Sequence, residues 1–216
     1  AYFVRRNSNN PVYRRVLERY VHMATEAGVA QAMYPEGGLS RDGRLREPRL
    51  GLFDYMLKSF DPASGHDIVF VPVALNYDRV LEDRTLLRGL DPEAGRVGFV
   101  AAARTTLSFW GRQAGLMLRG QWYRFGYACV NFGAPVSMRA YCASHGLDFQ
   151  KLSGDERRRA IADLGAHLMH RVGSIVPVVP VPLIATVLLR QDARPLSELE
   201  MKAEVEKLIE QLESRG

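Results

Sequence analysis

The chain has 216 residues, 47% of them hydrophobic and 25% charged, with 29 Lys and Arg against 24 Asp and Glu and a net charge of +5. That length and balance describe a globular domain large enough to bury a core, and the chain carries no internal repeat and no low-complexity tract. Lysine occurs only at positions 58, 151, 202 and 207, so the basic surface is mostly arginine; it suits phosphate or anionic lipid, and without a zinc-finger spacing, an RNA-recognition signature or a lysine-rich arm, nucleic acid is not an expected partner.

Residues 2–4 (Tyr-Phe-Val) read as a short strand ending in Arg5 and Arg6. The turn at residues 7–11 can start a helix, with Pro11 in its first turn. Tyr13, Val16, Leu17, Tyr20 and Ala24 then recur at helical spacing on what reads as the core face. Arg15, Glu18, His22 and Glu26 fall opposite them, so His22 is expected to be a solvated surface histidine. Gly28 ends the helix. Residues 31–34 are expected to be a strand, and residues 50–57 a helix. Residues 61–65 form a loop, and residues 68–75 are nearly continuous apolar sequence, the pattern of a buried strand.

Residues 78–98 are charged and broken by glycines, and read as an insertion over the sheet edge. Residues 101–120 read as partly helical. Residues 127–132 read as a strand ending at Gly133-Ala134-Pro135, followed by helices over residues 137–145 and 155–172. Within the second, Arg157-Arg158-Arg159 is expected to be a solvated face. Residues 172–189 are apolar but shorter than the ~20 residues of a membrane-spanning helix. They also hold Pro177, Pro180 and Pro182, so a buried loop entering a short core helix is expected, with shallow membrane contact as the alternative. Ser197 with Glu200 three residues on is a capping-box pattern. Met201, Val205, Leu208, Ile209 and Leu212 follow as one apolar stripe. Cys129 and Cys142 match no metal or redox spacing and are expected to be buried thiols of a reducing compartment. Strands alternating with helices predict an α/β fold with a largely parallel sheet.

The window Tyr34-Pro35-Glu36-Gly37-Gly38-Leu39-Ser40-Arg41-Asp42-Gly43 holds the densest chemistry. It joins a carboxylate, paired glycines, a hydroxyl and an arginine behind an apolar stretch. Glycines let the backbone turn tightly and bring its N–H groups close to an anion, and α/β folds present sites where a strand ends. A Glu-Gly pair in a surface turn is, equally, what a purely structural turn looks like.

Three blocks in order give this window its weight: AYFVRR at residues 1–6, YPEGGLSR at 34–41 and VFVPVALNY at 69–77. In order and spacing they resemble the glycerol-3-phosphate acyltransferase family, whose corresponding blocks read G-x-F-F-I-R-R, F-x-E-G-x-R-S-R and a V-P-V strand. The stretch LREPRLGLFDYM (residues 45–56) resembles the family's continuation. The resemblance covers most of residues 1–190 and implies an acyltransferase domain of the glycerolipid acyltransferase fold over that range, a mixed sheet flanked by helices, with residues 191–216 as a C-terminal helix leading to a further part. It departs at Leu39, where the family has arginine. It also lacks the family's first block, a histidine with an aspartate five residues on; none of the five histidines here has that partner. The expectation is therefore a fragment that begins at the second block.

The resemblance implies transfer of an acyl group from acyl-CoA or acyl carrier protein to the sn-1 hydroxyl of glycerol 3-phosphate, with no cofactor and no metal. It also implies a bacterial protein held peripherally at the cytoplasmic face of the inner membrane. Glu36 and Gly37 are the expected catalytic residues. Arg5, Arg6, Gly38, Ser40 and Arg41 are the expected acceptor-binding residues. Neighbouring side chains on a strand point to opposite faces, so only one of Arg5 and Arg6 can lie over the site, and Arg6 is favoured. Glu36 is expected to accept a bond from a glycerol hydroxyl or to orient the arginines. Gly37 and Gly38 are expected to offer N–H groups to phosphate or oxyanion. Ser40 is expected to bond a hydroxyl or to close the turn. Alternatives are lysophosphatidic acid as acceptor, or a non-catalytic module that binds an anionic membrane surface.

Overall fold

A computed structural model describes residues 10–38, 40, 42–58, 60–78, 80, 126–190 and 195–214, with scattered residues between 104 and 118. The expected strand at residues 2–4, most of the insertion at 78–98 and much of 101–120 lie outside the described residues. Among the described residues the elements are α1 (Pro11–Glu26), α2 (Gly51–Leu57), β1 (Val69–Phe70), β2 (Val73–Tyr77), β3 (Ala128–Phe132), β4 (Val136–Ser137), α3 (Met138–His145), α4 (Gly154–Gly173), α5 (Pro180–Arg190) and α6 (Glu198–Glu213). The chain forms two compact units. One comprises Ala1–Ser40, Arg44–Ala74 and Asn131–Val176; the other comprises Arg41–Gly43, Leu75–Val130 and Pro177–Gly216.

In the first unit, Asn10 caps α1 by accepting from the N–H groups of Val12 (2.9 Å) and Tyr13 (3.2 Å). The helix closes as the sequence predicts. Gly28 adopts φ +66, its N–H bonds Thr25, and the N–H of Val29 bonds Ala24, which together satisfy the last carbonyls. The faces of α1 differ from expectation. Val21 is its one buried residue, whereas Val16 and Tyr20 are 62% and 57% exposed. Glu18 turns inward to pair with Lys58 just beyond α2. His22 keeps only 15% of its side chain exposed and pairs with Glu26 at 3.3 Å. The inward side of α1 accepts polar groups because each finds a partner there.

The core of this unit gathers Phe53 and Leu57 of α2, Met138, Tyr141 and Cys142 of α3, Phe149, and Ala160, Ile161, Leu164 and Leu168 of α4. Burial pushes the Cys142 thiol up from its ordinary value, while Cys129 is only half-buried. Arg157 is not the solvated residue its charge run suggests. Its side chain is 17% exposed, donating to Asp54 Oδ1 (2.9 Å) and to the carbonyl of Phe149 (2.6 Å). It ties α4 to α2.

The strands correct the expectation of a largely parallel sheet, since both described pairings are antiparallel. β1 pairs with β4, Val69 opposite Ser137 and Phe70 opposite Val136. β2 pairs with β3, and bonds from the N–H of Gly133 to Pro72 (2.8 Å) and from the N–H of Asp78 to Tyr127 (2.9 Å) set the opposed direction. Between the two pairings one residue, Val71, faces two, Ala134 and Pro135. This extra residue is a bulge, and Pro72 and Pro135 have no N–H to continue the ladder. The expected single strand at 68–75 is thus two. It is also not buried throughout: Ala74 is 3% exposed, but Val69, Val71, Val73, Leu75 and Tyr77 are 39% to 52% exposed. Residues 31–34 form no strand.

In the second unit, Asp78 is buried at 7% exposure. Its Oδ2 accepts from the N–H of Tyr127 (2.9 Å) and its Oδ1 from the N–H of Val181 (3.1 Å), in the first turn of α5. Pro180 and Pro182 are tolerated there because first-turn N–H groups have no intrahelical acceptor. The expected short core helix is instead mostly exposed: only Val187 is buried. α6 packs on α5 and starts with the predicted capping box of Ser197 and Glu200. Among the described residues, no helix is long and apolar enough to cross a membrane.

Candidate functional site

In the first unit, residues 34–38 of the glycine window form a tight turn held in shape by residues 44–49. The N–H of Gly37 bonds the carbonyl of Tyr34 at 3.0 Å, closing a turn in which Gly37 adopts φ +65. The N–H of Arg49 bonds the carbonyl of Pro35 at 2.8 Å. Glu36 Oε2 accepts from the backbone N–H of Arg46 at 3.2 Å, and Ser40 Oγ donates to the carbonyl of Arg44 at 2.8 Å. Residues 44–49 therefore run back beside residues 35–38 and Ser40.

The return limb is seated on α4 through glycine. A Cβ on Gly165 would lie 3.0 Å from Pro48 Cγ, and one on Gly173 would lie 3.0 Å from Leu45 Cδ1. At Gly165 the missing Cβ leaves room for a proline ring, whereas at Gly173 it leaves room only for the end of a flexible leucine side chain. Leu50, at the end of the limb, packs against the core, so the turn is positioned by core contacts as well as by local bonds.

The window places four of the expected site residues together: Glu36, Gly37, Gly38 and Ser40. Arg5, Arg6 and Arg41 lie outside the described residues. Glu36 engages a backbone N–H of the arginine-bearing limb through Oε2, and Oε1 has no partner among the described residues. Ser40 closes the turn through Arg44. The N–H of Gly37 bonds the carbonyl of Tyr34 and so helps to close the turn. The N–H of Gly38 has no partner among the described residues.

Two residues that the sequence reading left out stand at the turn. A Cβ on Gly37 would overlap Arg49 Cδ and lie 2.6 Å from its Nε, and one on Gly38 would lie 3.5 Å from Arg46 Nη1. The signal for them was the run Arg44, Arg46 and Arg49 within six residues of the turn's far end. Among the described residues, no group of three His, Cys, Asp or Glu side chains is arranged to hold a metal ion.

Glycine turns and guanidinium groups are general devices for binding anions, and residues 1–76 match the model of the acyltransferase family. Residues 116–216 match the model of the glycerol-3-phosphate acyltransferase C-terminal region. The chain is 30% identical over 213 residues to a glycerol-3-phosphate acyltransferase of Pseudomonas fluorescens (strain SBW25), covering 95% of this chain and 24% of that protein. It is 31% identical over 205 residues to the enzyme of the same name from Pseudomonas paraeruginosa (strain DSM 24068 / PA7), covering 92% of this chain and 23% of that protein. The chain spans about a quarter of the length of these curated relatives. Over both matched segments it is similar to the glycerol-3-phosphate acyltransferase family.

Proposed function

We propose that the protein transfers an acyl group from an acyl thioester, acyl-CoA or acyl carrier protein, to the sn-1 hydroxyl of glycerol 3-phosphate. The observation that carries this reading is the ordered match of the chain to the acyltransferase model and then to the C-terminal region of glycerol-3-phosphate acyltransferases. The turn at Glu36 fits the acceptor side of such a reaction. Acyl transfer needs a base to take the alcohol's proton, donors for the tetrahedral oxyanion and a hold on the acceptor. Glu36 Oε1 is the group for a glycerol hydroxyl. Gly38 offers a backbone donor, and Arg5, Arg6 and Arg41 are proposed to meet the phosphate. No histidine of this chain has the aspartate five residues on that the family's base carries, and no residue here is assigned as that base.

In this reading the reaction takes place at the cytoplasmic face of a bacterial inner membrane, where the protein is held peripherally. Support comes from α1, where Val12, Val16, Tyr20 and Met23, 53% to 69% exposed, form one apolar stripe beside Arg15 and Arg19.

The test is thiol release from palmitoyl-CoA by the intact protein, with and without glycerol 3-phosphate. Release that depends on glycerol 3-phosphate and yields lysophosphatidate is expected. No such dependence, or dependence on lysophosphatidate instead, overturns the reading. Glu36→Ala should lower the rate at least ~10²-fold, the scale of a lost transition-state contact; a near-normal rate would remove Glu36 from the chemistry.

A further inference from the structure

Arg46 and Arg49 are held at the glycine turn by their backbones, which leaves their side chains available. The N–H of Arg46 is engaged by Glu36 Oε2 at 3.2 Å, and the N–H of Arg49 by the carbonyl of Pro35 at 2.8 Å. The carboxylate closest at hand thus bonds the main chain of Arg46 and not its guanidinium. Both arginines are exposed. Among the described residues neither side chain has a carboxylate within ion-pair distance, Glu47 between them included.

Their placement depends on glycine. The stem of Arg49 crosses the space a Gly37 side chain would fill, and Arg46 Nη1 comes within 3.5 Å of where a Gly38 Cβ would be. Any other residue at 37 would displace the Arg49 stem. Two guanidinium groups with no carboxylate partner among the described residues therefore flank a turn whose Gly38 N–H likewise has no partner among them. Guanidinium forks and a turn N–H are complementary to the oxygens of a phosphate monoester, and two cations match its charge of about −2 near neutral pH.

We propose that Arg46 and Arg49, together with the N–H of Gly38, bind the phosphate of the acceptor at this turn. The proposal rests on the acyl-acceptor reading above and names additional residues for it. Glu36 then has two linked roles. One carboxylate oxygen fixes the limb that carries the phosphate-binding arginines, and the other faces the part of the acceptor beyond the phosphate. The phosphate and the reacting hydroxyl would be held from one turn, which fixes the distance between them.

The experiment uses the intact protein and its Arg46→Gln, Arg49→Gln and Arg46→Lys variants. It measures KM for glycerol 3-phosphate, KM for palmitoyl-CoA, inhibition by inorganic phosphate, and thermal melting. Each glutamine variant should raise KM for glycerol 3-phosphate and the phosphate inhibition constant about tenfold, the scale of one charge-assisted contact. KM for palmitoyl-CoA should stay within about twofold. Arg46→Lys should recover part of the loss, as a point charge in place of a fork. Variants that melt lower with an unchanged phosphate constant would show a structural role and overturn the proposal. Calorimetric titration with inorganic phosphate separates this from the reading it rests on. If the unaltered protein binds phosphate and the variants do not, the anion site stands even where no acyl transfer to glycerol 3-phosphate is found. If acyl transfer proceeds and phosphate binds all forms equally, the acceptor reading stands and these arginines are excluded. Should the variants not fold, phenylglyoxal modification of the unaltered protein decides the matter: phosphate should protect Arg46 and Arg49, and unprotected labelling overturns the proposal.

Discussion

The ring of Pro48 rests on α4 at Gly165, where a Cβ would come 3.0 Å from Pro48 Cγ and 3.3 Å from Leu50 Cδ2. Eight residues along the same helix, Gly173 leaves room for Leu45. Two glycines on one helix thus seat the limb that returns from the glycine turn, and the site geometry is built outward from that contact.

The two positions should respond differently to alanine. Gly165, inside the helix, gains about 1 kcal/mol of helix propensity, and Gly173, its last residue, gains less. At Gly165 the new methyl meets a proline ring and a core leucine, neither free to move, and overpacking of this kind costs about 1–3 kcal/mol. At Gly173 it meets only the end of a flexible leucine side chain. Gly165→Ala should therefore lower the thermal midpoint and raise KM for the acceptor as the limb shifts, while Gly173→Ala leaves both near their original values. Denaturant unfolding and acceptor kinetics on the two variants check this; equal behaviour would mean that the limb is not seated by Gly165.

Asp78 makes a second prediction, in the other unit. Its carboxylate takes the N–H groups of Tyr127 and Val181 while itself buried. Beside it, a Cβ on Gly126, at φ +83, would lie 2.5 Å from Asp78 Cβ. Asp78→Ala strands two backbone donors and should cost about 2–4 kcal/mol. Asp78→Asn keeps only one oxygen acceptor and should lose about half as much. Denaturant unfolding measures both, and an unaffected Asp78→Ala would show that the start of α5 is held by other contacts.

What was legible in the sequence follows from how local each signal is. The helix start at Pro11, the stop at Gly28 and the box of Ser197 with Glu200 are set within a few residues, and the structure has them where the sequence predicts. Sheet direction is not local. The run at residues 68–75 is apolar on both faces, so alternation could not show that Val73 and Leu75 face outward, and Pro72 and Pro135 only reveal their broken ladder once opposed. At the site, the turn was readable from Glu36-Gly37-Gly38. For Arg46 and Arg49 the only signal was a run of arginines, and it did not show that their limb turns back beside Glu36 and packs on Gly165 and Gly173, more than a hundred residues on. The inward face of α1 was misread for a similar reason, since Glu18 turns in only because Lys58 meets it.

The outward stripe of α1 gives a prediction for membrane contact. Val12, Val16, Tyr20 and Met23 recur at helical spacing and are all more than half exposed. Laid on an anionic bilayer, they would bury apolar surface while Arg15 and Arg19 meet the head groups. Each fully buried side chain of this size is worth about 1.5–3 kcal/mol, so Val16→Ser with Met23→Ser should weaken cosedimentation with phosphatidylglycerol vesicles at least ~10-fold. Raised salt should weaken it further. Undiminished binding by the double variant would remove α1 as the contact.

Glu18 and Lys58 make stability depend on pH in one direction. The hydrogen bond from the Lys58 ammonium holds the Glu18 carboxyl below the usual carboxylate range, against a smaller opposing effect of burial. A carboxyl whose value is lowered by folding binds its proton more readily in the unfolded chain. Its contribution is therefore complete above the ordinary carboxylate value of ~4.3 and is lost as pH falls through the lowered one. Lys58 is 52% exposed, so the pair contributes no more than about 1 kcal/mol. Thermal melting between pH 7 and pH 3 should show Glu18→Gln less stable than the unaltered protein at pH 7, with the gap closing as the pH falls below the ordinary carboxylate value. A gap that persists unchanged to pH 3 would mean that Glu18 supports α1 through packing and not through its charge.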